Sequence, residues 1–234
     1  MRDYIILNGV SSSTISGLLI QNLPPISKPK QRVEVEEIDG RDGDIVTYLG
    51  YGAYDKEFKI GLCGSYNVDE IISYFNSQGT VIFSNEDDKY YNYQIIEQIG
   101  FDKLLRFKEA TVKMHMQPFK YSAEDNQKVF SVSNTTNISI RNSGNIYSRP
   151  ILIITGTGTI NLYLNNNQLF SIVMGTNSSI TIDTNNMNAY NGSTLLNRNV
   201  TGSYDNFKLN VGNNTISWDG NVTQIEIENY SRWI

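Results

Sequence analysis

Cysteine and histidine are almost absent from this chain, which has one of each, Cys63 and His115, among 234 residues. A single cysteine cannot form an internal disulfide, and this usage is typical of proteins made in a reducing compartment. One histidine and one cysteine leave little from which to build a zinc site or a Ser-His-Asp triad. We therefore expect no metal site, no cofactor and no catalysis by these routes.

Long apolar runs and excess positive charge are also missing. No stretch approaches the roughly 18 apolar residues that a membrane helix needs. The first ten residues, MRDYIILNGV, resemble neither a secretory signal nor a transit peptide. The formal net charge of -5 argues against a protein that grips nucleic-acid phosphates. We expect no membrane insertion and no sequence-specific nucleic-acid binding.

The residues that are abundant indicate a mainly β protein in two parts. The chain has 15 Tyr and 18 Gly, together with many Asn, which favour strands and turns over long helices. Residues 1–128 hold 14 Lys/Arg and 19 Asp/Glu, whereas residues 129–234 hold only 5 of each. Asparagine shows the opposite bias, with 7 before the boundary and 21 after it. These shifts predict two domains, 1–128 and 129–234, separated within YSAEDNQKVF.

The first half predicts strands and one helix. Segments such as RVEVEEID and YDKEFKIGL alternate apolar and polar residues with the period of a strand. The segment NVDEIISYFNSQG predicts a helix with Asn67 as N-cap, an apolar face of Val68, Ile71, Ile72 and Phe75, and Gly79 at its C-terminal end. YYNYQIIEQIGF and LLRFKEATVKMHMQPF predict an antiparallel hairpin that turns at residues 100–103.

The second half predicts a β-sandwich or jelly roll without helices. Short apolar segments separated by Asn/Gly turns predict strands near 137–141, 150–155, 159–165, 168–173, 178–183, 207–211, 213–217 and 222–229.

The segment RPILIITGTGTINLYLNN has an apolar run followed by Gly156 and Gly158, as nucleotide-binding loops do. A dinucleotide fingerprint needs a third glycine at the start of a helix, but position 161 is Asn and the residues that follow alternate as a strand. We interpret the glycines as the turn of a hairpin.

Several acidic groups and the lone histidine also have structural interpretations. Asp39, Asp42 and Asp44 resemble a calcium loop, but their spacing does not fit an EF-hand, so we expect an exposed loop, with an ion or subunit contact as the alternative. His115 alternates with apolar neighbours, as a partly exposed strand residue does. Two carboxylate groups are predicted to be solvated rather than catalytic: Glu86, Asp87 and Asp88 in a turn, and Glu226 with Glu228 on one strand face.

Aromatic residues in the Asn-rich half allow a second function. Exposed rings can stack on sugars while amide and carboxylate groups bind hydroxyls. This alternative is a carbohydrate-binding adhesin module that recognises host cell-wall glycan, with Tyr190, Tyr204 and Trp218 as candidate residues. The competing interpretation is that most of these rings fill the core or an interface.

The order of the segments resembles the distal tail protein (Dit) family of long-tailed, non-contractile phages of Gram-positive bacteria. In the first half the matching segments are LNG, EIDGRDGDIV, YDKEFKI, VDEIISYFNSQGTVIFS, DKYYNYQI and ATVKMHMQPFKY. In the second half they are NSGNIYSRPILIITGTGTINLYLNN, NVGNNTISWDG and IEIENYSRWI. The resemblance covers nearly the whole chain.

This resemblance implies a virion structural protein that is not an enzyme. The implied fold is an N-terminal β-sandwich-like domain with one α-helix, which forms a ring, and a projecting C-terminal domain with a galectin- or carbohydrate-module-like β-sandwich. The implied assembly is a ring, commonly a homohexamer, which joins the tail tube to the baseplate around a channel for DNA. Implied partners are further copies of the chain, the tail tube protein, the tape-measure protein and tail-tip or receptor-binding proteins used in host attachment. The implied location is the virion tail tip, after assembly in the bacterial cytoplasm.

Ring proteins need exposed strands and loops that contact a neighbouring subunit. We predict that the contacts include the acidic loop and the paired tyrosines of the first half: Asp39, Gly40, Arg41, Asp42, Gly43, Asp44, Tyr90 and Tyr91.

Overall fold

The structure is a computed structural model that describes residues 2–75, 77–124, 127–132 and 135–234. The chain divides into two compact units, residues 1–123 together with residue 234, and residues 124–233. The boundary expected between residues 128 and 129 falls inside a strand, Gln127–Ser131, that pairs with the longest strand of the second unit. The mainly β class is confirmed.

The first unit consists mostly of one antiparallel sheet. Its elements are β1 (Ile5–Leu7), β2 (Val10–Ser11), β3 (Leu18–Ile20), β4 (Gln31–Glu37), β5 (Asp44–Tyr51), β6 (Tyr54–Leu62), α1 (Val68–Tyr74), β7 (Gln78–Phe83), β8 (Glu86–Gln94), α2 (Phe101–Phe107) and β9 (Glu109–Ser122). The sheet has the order β2-β1-β7-β8-β9-β6-β3, whereas β4 and β5 form a separate two-stranded ribbon. Residues that alternate along the central strands, such as Phe58, Ile60, Val112 and Met114, fill its core.

The predicted helix is confirmed, but it is shorter than expected. The Asn67 side chain accepts hydrogen bonds from the backbone N–H groups of Asp69 and Glu70, as an N-cap does. Ile71 and Phe75 are buried, whereas Ile72 is exposed. Gly79 does not end the helix, because it lies in β7 at a φ of +150° with the Asn8 side chain packed against it.

The turn predicted at residues 100–103 is wrong, because α2 occupies this part of the chain. FDKLLRF contains residues of good helix propensity, and Leu104 is buried in the core. The helix ends at Lys108, which adopts a left-handed conformation with φ 60°. β8 and β9 still pair antiparallel, as predicted, but a helix connects them instead of a tight turn.

The second unit is built on two unusually long strands. Its strands are β10 (Gln127–Ser131), β11 (Asn137–Asn142), β12 (Ile151–Leu164), β13 (Asn167–Val173), β14 (Ser179–Asp183), β15 (Asn188–Asn191), β16 (Thr194–Leu195), β17 (Val200–Gly202), β18 (Gly212–Glu228) and β19 (Arg232–Trp233). The predicted strand at 207–211 is instead an irregular segment with a single bridge from Leu209 to Ser148. The sequence pattern did not predict β10, β15, β16, β17 or β19.

The long strands β12 and β18 pair with each other and contribute to both layers of the sandwich. The first part of β12 pairs with β14 and its second part with β13, while β18 pairs with β11 at its start and with β10 at its end. The register between β12 and β18 shifts around Gly156. Side chains from both parts of each strand enter one core.

The hairpin predicted at Gly156 and Gly158 is therefore wrong, because both glycines lie inside β12. They form a bend within one strand, and the two parts of that strand do not pair with each other. A Cβ at Gly156 would lie 2.3 Å from the carbonyl oxygen of Asn221, and one at Gly220 would lie 2.4 Å from that of Thr159. The glycines allow the two backbones to approach closely at the bend. The turn that does return the chain is at Asn165 and Asn166, which have φ of 50° and 69°.

We expect Gly156→Ala to destabilise the second unit by about 2–3 kcal/mol, because the added methyl group collides with backbone on β18. Gly158→Ala is the comparison, because its φ is +77° but the space around it is open. It should cost only about 1 kcal/mol. Urea unfolding followed by tryptophan fluorescence measures both, since Trp218 and Trp233 are the only tryptophans and lie in this unit. Equal effects of the two substitutions would contradict the close approach at Gly156.

Candidate functional site

His115 and the carboxylates Glu226 and Glu228 are each paired with a neighbouring side chain. His115 Nδ1 lies 2.8 Å from Asp55 Oδ1 in an exposed pair on neighbouring strands. The Gln127 side chain donates to both Glu226 and Glu228, so these two carboxylates are joined by an amide on one strand face. Within the described ranges, no group of three or more His, Cys, Asp or Glu side chains is placed to hold a metal ion.

In the part of the chain that the structure describes, no helix is both long enough and apolar enough to cross a bilayer.

The ribbon formed by β4 and β5 has one exposed face of apolar side chains, whereas the half-buried Ile45 shares the other face with acidic residues. Val33 lies opposite Tyr48, and Val35 lies opposite Val46, so these four side chains share a face. The exposed fraction of the side chain is 41% for Val33, 70% for Tyr48, 52% for Val35 and 44% for Val46. Glu34 and Glu36 lie on the other face. We call the face of Val33, Val35, Val46 and Tyr48 the apolar ribbon face.

The predicted loop residues form the tip of this ribbon. Asp39, Gly40, Arg41, Asp42 and Gly43 connect the two strands, and Asp44 is the first residue of β5. All six are exposed, and the loop glycines have φ of 81° and 78°. The predicted loop is thus an exposed turn at the end of a hairpin, where it is accessible to a partner.

Charge is distributed unevenly along the ribbon. Residues 34–44 carry six acidic side chains, Glu34, Glu36, Glu37, Asp39, Asp42 and Asp44, and one basic side chain, Arg41. The chain entering the ribbon carries Lys28, Lys30 and Arg32. The ribbon is therefore acidic at the end that carries the turn, and basic where the chain enters it. We call this entry the root of the ribbon.

Two polar side chains, the buried Lys56 and the exposed Asn85, hold the segment that leads into the ribbon. The Lys56 ammonium donates to the carbonyl oxygen of Pro25 at 2.6 Å, and the Asn85 amide donates to that of Pro24 at 3.1 Å. Lys56 is only 4% exposed and lies close to the rings of Tyr54, Phe83 and Tyr91. These two side chains connect the root of the ribbon to the main sheet.

The same cluster contains a second buried lysine and a shared carboxylate. Lys120 donates to Glu86 Oε1 at 2.8 Å, and the Tyr91 hydroxyl donates to Glu86 Oε2. Burial lowers the pKa of Lys56 to about 8, while the nearby Glu86 carboxylate opposes that shift. Burial and the Glu86 carboxylate both raise the pKa of the Tyr91 phenol. The expectation that Glu86 is solvated is wrong, because Lys120 and Tyr91 bind it inside the unit.

The paired tyrosines occupy different environments. Tyr91 is 1% exposed and its ring packs against Phe83, so it is a core residue and is not presented to a partner. Tyr90 is half-buried and stacks on Tyr121 with 5.5 Å between ring centroids. Of the two predicted contact tyrosines, only Tyr90 reaches the surface.

The candidate sugar-stacking rings do not form an exposed platform. Trp218 is 3% exposed and belongs to the core of the second unit. Tyr204 packs on Phe170 at the edge of that core, with 5.2 Å between ring centroids. Tyr190 is half-buried on β15. Burial therefore removes Trp218 as a stacking residue, and only Tyr190 and Tyr204 stay as partly accessible rings.

Three solved phage structures share this fold. The chain is similar to the Dit protein of phage SPP1, described as a paradigm of the hub adsorption apparatus in phages that infect Gram-positive bacteria, with a TM-score of 0.66, 15% identity and 100% of both chains covered. It is also similar to a chain of the phage P2 baseplate in its activated conformation with Ca, with a TM-score of 0.52, 11% identity, and 100% of this chain and 98% of that chain covered. A chain of the phage p2 baseplate with Sr gives a TM-score of 0.50, 12% identity and 97% coverage of each chain. No protein-family model and no curated protein sequence matches the chain. At these identities the likeness shows a common fold over the whole chain.

We expect the first unit to gain stability as the pH rises from about 8 to about 10, because of Lys56. In the folded state the pKa of Lys56 is about 8, against an ordinary value of 10.5, so in this window the unfolded chain binds the extra proton. Raising the pH then favours folding by at most about 1.4 kcal/mol per pH unit. Above about pH 10 the raised pKa values of Tyr54 and Tyr91 act in the opposite direction.

Urea unfolding at several pH values, followed by circular dichroism, measures this slope. Tryptophan fluorescence identifies the transition of the second unit, which contains both tryptophans. Lys56→Met should abolish the increase, whereas Lys59→Met, at an exposed lysine on the same strand, should preserve it. An unchanged slope in Lys56→Met would show that Lys56 is protonated in the folded protein throughout this range.

Proposed function

We propose that this protein is a structural phage distal tail protein that assembles as a ring and joins the tail tube to the baseplate. The proposal is supported by a shared fold over the full length of the SPP1 Dit protein, which belongs to a hub adsorption apparatus. The observation that carries it is the apolar ribbon face. Four large apolar side chains on an isolated two-stranded ribbon are the mark of a surface that another chain covers.

The partner that we propose for this face is a second copy of the chain. The ribbon is one surface and its receptor must be another, so each copy would donate a ribbon to one neighbour and receive one from the other. Such head-to-tail contacts close into a ring when the rotation between copies permits it. The acidic end and basic root of the ribbon would select a receptor surface of complementary charge on the neighbouring copy. We propose a homohexamer.

The ring would surround a channel for DNA. An acidic surface facing that channel would keep DNA from binding as it passes, since both carry negative charge. The first unit would form the ring, and the second would project from it toward tail-tip and receptor-binding proteins. The tail tube and tape-measure proteins would contact the ring along its axis. The site of action would be the tail tip of the virion, reached after assembly in the bacterial cytoplasm.

The proposed role is non-enzymatic. Lys56 and Tyr91, whose pKa values are shifted, make structural contacts inside the first unit. Lys56 donates to Pro25 in the segment that leads into the ribbon, and Tyr91 donates to Glu86. Their positions suit a structural role, because they support the segment that carries the proposed contact surface.

We expect the purified protein to form a ring whose mass corresponds to six copies, and the double substitution Val35→Glu with Tyr48→Glu to yield monomers. Both side chains are exposed in the single chain, so the charges should disrupt assembly without unfolding the subunit. Analytical ultracentrifugation gives the mass, negative-stain images show the ring, and circular dichroism checks the fold.

Val173→Glu is the matched control, because Val173 is 50% exposed on β13 in the second unit. It should leave the ring intact. A wild-type protein that stays monomeric at high concentration would rule out self-assembly through this face. A double variant that still forms rings would show that the ribbon is not the contact.

A further inference from the structure

A polar groove lies at one end of the second unit. It has a volume of about 550 Å³ and is bounded by the β12–β13 turn on one side and by the irregular segment 205–210 on the other. Its lining residues are mostly amides, and the two apolar ones, Leu164 and Leu169, are buried in the core beneath it. The groove is separate from the ribbon, which belongs to the first unit.

Several amide side chains of the groove have unused hydrogen-bonding capacity. Gln168, Asn206 and Asn210 are exposed. In the ranges that the structure describes, their side chains make no hydrogen bond to other protein groups, and that of Asn167 makes only a long one of 3.4 Å. Each amide presents two donor hydrogens and an acceptor oxygen. The groove therefore offers paired donors and acceptors from both of its walls.

A buried asparagine holds the two walls together. Asn214 is 1% exposed, and its amide donates to the carbonyl oxygens of Asn210 and Gly212. Its side-chain oxygen accepts from the Asn210 backbone N–H at 3.0 Å and from the Asn165 amide at 3.2 Å. Asn165 in turn accepts from the backbone N–H of Thr215. Asn214 thus fixes the separation of the β12–β13 turn and the opposite segment before any ligand arrives.

The charged groups near the groove balance each other. Asp205 forms an ion pair with Arg149 at 2.7 Å, and this contact lowers the pKa of the Asp205 carboxyl. The Lys208 ammonium lies over the ring of Tyr147, 5.3 Å from its centroid. With one acid and one base in its lining, the groove has no excess of one charge that would select a strongly ionic ligand.

We propose that this groove is a binding site for a neutral oligosaccharide. Amide side chains can bind vicinal hydroxyl groups of a sugar through one donor and one acceptor. The site uses Gln168, Asn206 and Asn210 in place of an aromatic platform, so it differs from the rings that the sequence suggested. It is independent of ring assembly, and either proposal can fail without the other.

Ligand-observed saturation-transfer NMR on the full chain tests this site. The probes are glucose, galactose, N-acetylglucosamine, rhamnose and lactose, with inorganic phosphate titrated separately. We expect saturation transfer to at least one sugar, with an affinity of about millimolar for a small ligand held by a few hydrogen bonds. The double substitution Gln168→Ala with Asn206→Ala should weaken that binding at least about tenfold.

Asn191→Ala is the control, because Asn191 is an exposed asparagine outside the groove. It should leave sugar binding unchanged, and circular dichroism checks that both variants fold. The proposal is overturned if none of the sugars shows transfer, or if the groove and control variants bind equally well. Phosphate binding that is lost in Lys208→Ala, without sugar binding, would make the groove an anion site instead.

Discussion

Backbone hydrogen bonding between strands is the constraint on which this structure depends. Every strand exposes N–H and C=O groups that need a partner, and in both units these groups are satisfied by antiparallel neighbours. The second unit meets the constraint with two long strands that take different neighbours along their length. The ribbon of the first unit pairs only its two strands with each other, so its outer edges and its apolar face are available to another chain.

Local sequence predicted the features that local interactions determine. Alternation identified most strands, and the Asn67 cap identified the start of α1, because a cap acts within one turn of helix. The bend at Gly156 was misread as a hairpin turn, since both need glycine and the difference lies in pairing with β18, more than fifty residues away. In the same way, the Glu86 carboxylate is withdrawn from solvent beside Lys120, which lies on another strand.

In the candidate sites, too, local sequence predicted what local interactions determine and missed what distant contacts determine. The acidic loop was correctly interpreted as an exposed connection, since its glycines and charges determine that outcome locally. Alternation of Val33 and Val35 with charged residues indicates a face but not whether that face meets its own core or another chain. Asparagine richness was read as turn chemistry, which holds for Asn165 and Asn166. The role of Asn214 as a buried support follows from contacts that no spacing in the sequence displays.

The two strands that cross between layers have a mechanical consequence. A sandwich whose layers are made of separate strands can lose one layer while the other persists. Here β12 and β18 belong to both layers, so pulling either strand from one layer also loads its pairing in the other. The second unit should therefore resist force as a single cooperative body.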